Sequence, residues 1–150
     1  MFNAIGRGKE LPWNNPHKGL KEYDDRLVFA HLIPSSAEMA EFQSRHRQVI
    51  IPIRHPEAFA KRWLFDSGFK GTWDQHWRLM SPYVETAFFF PWETSPWDEL
   101  ESLIGEVDRS PVRIGHKTPE DFPLPESEQS KVAAILAEDP VARRFYDPQS

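Results

Sequence analysis

Hydrophobic positions along the chain fall into short runs set between polar and proline-rich breaks. Residues 1–25 show no period of 2 or 3.6. Gly6, Gly8, Pro12, Asn14, Asn15, Pro16 and Gly19 punctuate them, which predicts an irregular arm. Asp24-Asp25 predicts a turn, and the continuous run Leu27-Val28-Phe29-Ala30 a short buried strand. Ser35-x-x-Glu38 has the form of a capping box, and Met39 and Phe42 share a face of the helix it opens. Arg45, His46 and Arg47 are expected in its last turn, where positive charge suits the helix dipole. Gln48 to Ile53 is the strongest strand signal. Pro52 removes one ladder donor, so that strand is expected at a sheet edge or near its end.

A second helix follows, with Pro56 at its first position, Glu57 in its first turn, a stripe of Phe59, Trp63 and Leu64, and Gly68 as the closing residue. Thr72-x-x-Gln75 has the form of a cap for a helix carrying Trp73, Trp77 and Met80, with both tryptophans expected in the core. Tyr83 to Phe90 reads as a third strand. Ser95-Pro96-x-Asp98 opens a helix with Trp97, Leu100, Leu103 and Ile104 on one face, closed by Gly105. Residues 106–125 read as loop and Glu126 to Ala137 as helix, broken by Asp139-Pro140. The division expected is an arm at 1–25, an α/β domain at 26–138 and a tail at 139–150. Alternating strands and helices predict a small parallel sheet with helices on both faces.

Composition narrows the function classes. The chain has 150 residues and no cysteine, which excludes a disulfide framework, a zinc–thiolate site and a cysteine nucleophile. A net charge of -5 argues against bulk nucleic-acid binding. No apolar run approaches the roughly 20 residues of a membrane span, and Met1 to Glu10 lacks the apolar stretch of a signal peptide. A cytoplasmic protein with no membrane or nucleic-acid partner is the expectation. The six histidines show no metal-ligand spacing, so no metal is expected. The 14 prolines are about twice the usual ~5% share, yet six tryptophans call for packed surroundings.

In parallel sheets ligands bind beyond the carboxyl ends of strands. His31 follows the first predicted strand and Arg54-His55 the second, so all three are expected at one crevice edge. Arg54 and His55 at a helix start, with Arg62 two turns on, favour an anion: free amides and a guanidinium fork both suit phosphate or sulfate. Solvated or carboxylate-paired arginines are the competing reading. His116-Lys117-Thr118 has half of a phosphoesterase pattern, but no second copy is present.

Phe29-Ala30-His31-Leu32-Ile33-Pro34, a helix, and then Val49 to Pro56 resemble the sulfotransferases, which have a His-Leu-Pro segment after one strand and a later strand ending in Arg-x-Pro. Gly71-Thr72-Trp73-Asp74 is similar to a Gly-Thr-Trp segment of some cytosolic members. Ala87 to Glu93, followed by Trp97 to Gly105, resembles the family's late strand and helix. The resemblance spans residues 26–110. It implies a P-loop NTPase-like α/β fold, here truncated, with His31 as the base accepting a proton from a hydroxyl or amine. It implies further that Arg54 holds the 3′-phosphate of 3′-phosphoadenylyl sulfate and that Arg62 stands where the family has a second phosphate ligand, a serine. The chain departs from the family in three places. Nothing before residue 26 matches the phosphate loop, Gly6-Arg7-Gly8-Lys9 included; the catalytic lysine position is Phe29; and the late Arg-Lys-Gly segment is missing. The expectation is therefore a degenerate sulfotransferase-like domain acting by protein contact, as a small viral (phage) or mobile-element protein or an assembly component, with a protein partner or a second copy. The alternative is a sulfotransferase, or half of a split one, that binds 3′-phosphoadenylyl sulfate or adenosine 3′,5′-bisphosphate.

Overall fold

The structure is a computed structural model and describes residues 21–22, 28–29, 35–44, 49–68, 72–106 and 121–147. The chain forms a mixed α/β fold, with a two-stranded parallel sheet and six α-helices among the described residues. Two compact units are distinguished: residues 1–50 with 96–115, and residues 51–95 with 116–150.

In the first unit, β1 (Lys21–Glu22) pairs antiparallel with β2 (Val28–Phe29), Lys21 opposite Phe29 and Glu22 opposite Val28. This corrects two expectations. The arm is not irregular throughout, and the run at Leu27–Ala30 has its described pairing in a local hairpin, which needs only a short connection, rather than in the parallel sheet, which needs a crossover. Helix α1 (Ser36–Ser44) follows, with Met39 buried and its N–H donating to the Ser35 carbonyl. The basic triplet at 45–47, expected in its last turn, lies outside the described residues, as do the Glu38 and Phe42 side chains. Helix α4 (Trp97–Ile104) buries Leu100 and leaves Leu103 exposed, so the four-residue stripe does not act as one face. Gly105 closes it at φ 88°, a conformation that costs other residues strain.

The second unit is built on β3 (Ile50–Ile53) and β4 (Phe88–Pro91). The Trp92 N–H donates to the Ile53 carbonyl at 3.0 Å. Backbone polar groups alternate sides along a strand. Ile53 therefore faces β4 and Pro52 turns its missing N–H outward; likewise Trp92 faces β3 and Pro91 turns outward. Each strand thus lacks a donor on its outer edge, the placement prolines tolerate in sheets. Among the described residues the edge expected for Pro52 is observed, and Pro91 gives β4 a second one.

Tyr83 does not begin a strand. Ser81–Tyr83 forms a 3₁₀ turn, and the Thr86 and Ala87 N–H groups both donate to the Tyr83 carbonyl, so β4 starts only at Phe88. Helix α2 (Pro56–Ser67) forms as expected, with proline at its first position, where a missing N–H costs nothing. Its buried line is Pro56, Ala60 and Leu64, with Phe59 and Trp63 half-buried beside it. Gly68 ends it in the left-handed region, φ 65°, its N–H on the Leu64 carbonyl. A β-carbon there would meet nothing within 4 Å, so Gly68→Ala is expected to cost about 1–2 kcal/mol through backbone strain alone. Urea unfolding measures this directly, and an unchanged midpoint would contradict the cap.

Helix α3 (Trp73–Arg78) forms, but its expected cap does not. Thr72 sits at φ -117°, ψ 15°, outside the extended region a capping side chain requires, and its hydroxyl makes no cap bond. Trp73 and Trp77 are fully buried, as expected. Helix α5 (Glu126–Glu138) packs on α2, α3 and α6. Residues expected as a tail form helix α6 (Pro140–Tyr146): Asp139 caps it through the Val141 and Ala142 N–H groups, and both those residues are buried. Asp139-Pro140 therefore starts a helix as well as ending one. Leu64, Trp73, Trp77, Phe90, Ile135 and Val141 form the core of this unit; burying a side chain the size of Leu or Ile contributes roughly 1.5–3 kcal/mol. No described helix is long and apolar enough to cross a membrane.

Candidate functional site

Because β3 and β4 run parallel, the residues that follow them emerge at one edge. Arg54-His55 leaves β3 and Trp92-Glu93 leaves β4, and α2 begins beside them. This carboxyl edge is where parallel sheets bind ligands.

His55 caps α2 in two ways. Its Nδ1 accepts the Glu57 N–H at 3.2 Å, which places the proton of the neutral ring on Nε2. Its own backbone N–H donates to Glu93 Oε1 at 2.6 Å. A carboxylate there sits at the positive end of the helix dipole, where negative charge is favoured. The Tyr146 hydroxyl, at the end of α6, donates to Glu93 Oε2 at 2.9 Å, and the Tyr146 ring stands edge-on to the His55 ring at 5.3 Å. Burial, then the bond to Glu93 and its charge, push the Tyr146 phenol far above its usual range, so it remains a donor. One carboxylate thus receives donors from the start of α2 and the end of α6, 38 and 53 residues away.

Arg54 is exposed and makes no hydrogen bond or ion pair among the described residues. Arg62 lies six residues into α2, about 9 Å along the axis from Pro56. Its Nε donates to Asp66 Oδ2 at 2.9 Å. With Phe59, Trp63, Asp66 and Ser67 it lines a shallow groove of about 260 Å³. Behind the groove the His76 ring stacks on Phe59, 5.9 Å apart and 9° from parallel, and meets Trp63 at 5.2 Å.

His31 lies outside the described residues, as do Gly6-Arg7-Gly8-Lys9 and His116-Lys117-Thr118. The expected edge is thus described only for Arg54 and His55. Glu93 and Tyr146 are the residues that sequence reasoning missed there. Glu93 ends a strand-like run, a detectable signal; Tyr146 lies in the segment 139–150, whose composition predicts a tail. Among the described residues, no group of three His, Asp or Glu side chains is placed to hold a metal ion.

Burial holds His76 below the usual imidazole range, so its neutral form is favoured in the folded chain. The folded protein then binds this proton less well than the unfolded chain, whose reference value is 6.5. Stability is full above pH 6.5 and falls as pH drops through the lowered folded value. Urea unfolding at pH 7.5 and 5.5 is expected to show a loss on acidification that His76→Phe, which keeps the stacked ring, reduces. An equal loss in both proteins would contradict this.

Comparison with known protein families, with curated proteins and with solved structures finds nothing that matches this chain.

Proposed function

We propose that the chain is a degenerate sulfotransferase-like domain that acts by contact with another protein, as a small viral or mobile-element protein or an assembly component. One observation carries the reading: the His55 amide at the start of α2, next to the Arg54 that would hold a 3′-phosphate, already donates to the chain's own Glu93 carboxylate. A nucleotide phosphate at that amide has to displace a charge-assisted hydrogen bond and approach a resident negative charge. The sequence supports the same reading. Phe29 stands where the family has its catalytic lysine, and residues 1–25 contain no match to the phosphate loop. Sulfuryl transfer depends mainly on electrostatic clamping of the donor, and those are the clamp's parts. Arg62, the second expected phosphate ligand, is bonded to Asp66 along its own helix.

A second reading is favoured by Arg54, exposed and without an ion pair among the described residues. It is a sulfotransferase, or half of a split one, with His31 as base and 3′-phosphoadenylyl sulfate as donor. Calorimetric titration with adenosine 3′,5′-bisphosphate separates the two. The contact reading expects no saturable heat at millimolar nucleotide. Saturable binding that disappears in Arg54→Ala would establish the second reading instead.

A further inference from the structure

We draw no further inference here: the strongest candidate, the shallow aromatic groove along α2 lined by Phe59, Arg62, Trp63, Asp66 and Ser67, carries nothing because nothing in the structure shows what covers it.

Discussion

Asp139→Ala is expected to destabilise the protein by about 2–4 kcal/mol, combining a lost helix cap with groups left unpaired in the interior. Asp139 is 3% exposed. Its Oδ1 accepts the Val141 N–H at 2.9 Å and the Ala142 N–H at 3.1 Å, and its Oδ2 accepts the Ser81 hydroxyl. Alanine leaves two helix amides and one hydroxyl without this acceptor. The effect reaches beyond α6, because Ser81 begins the 3₁₀ turn that leads into β4. Asp139→Asn retains an oxygen acceptor and is expected to recover part of the loss. Urea unfolding followed by far-ultraviolet circular dichroism reads both variants. A loss under 1 kcal/mol for the alanine variant would mean that α6 docks without its cap.

Trp73→Phe is expected to cost about 2–3 kcal/mol, and Trp77→Phe about 1–2 kcal/mol less than that. Both indoles are fully buried, so the volume removed is the same and the cavity contributions are similar. Their N–H groups differ. Trp73 Nε1 donates to Glu128 Oε2 at 2.6 Å, within a group where Lys131 approaches Glu128 at 3.2 Å and Asp74 at 3.8 Å. Among the described residues, Trp77 Nε1 is buried with no hydrogen-bond partner. Phenylalanine at 73 removes a bond to a charged group, whereas at 77 it removes a donor whose burial costs free energy. Parallel urea titrations of the two variants measure the difference. Equal losses would contradict this account of the two indoles.

Helix α2 was legible because its signals are local. Proline at the first position, an acidic first turn and a closing glycine each act within a few residues, and each is found where expected. Pro52 was legible for the same reason: a missing donor restricts a strand wherever the strand lies. Thr72-x-x-Gln75 and Tyr83–Phe90 misled because other constraints decided the backbone. Thr72 adopts a backbone conformation outside the extended region and makes no side-chain cap bond, and the Tyr83 carbonyl accepts the amides of Thr86 and Ala87 before a strand can start. Asp139-Pro140 is a readable N-cap followed by proline at the first helical position. The same pair ends one helix and begins the next, and only the first role follows from the helical run before it. The position of Glu93 at a strand end was legible, but its partners were not. Its partners lie 38 and 53 residues away, and only the parallel pairing of β3 with β4 and the docking of α6 bring them together.

That juxtaposition makes the His55 amide the most direct witness. A proton–nitrogen NMR titration of the full chain with adenosine 3′,5′-bisphosphate should leave the His55 amide resonance unmoved to millimolar nucleotide, because Glu93 retains the bond. A saturable shift of His55, absent in Arg54→Ala, would show that the helix start admits the phosphate and would contradict the contact reading.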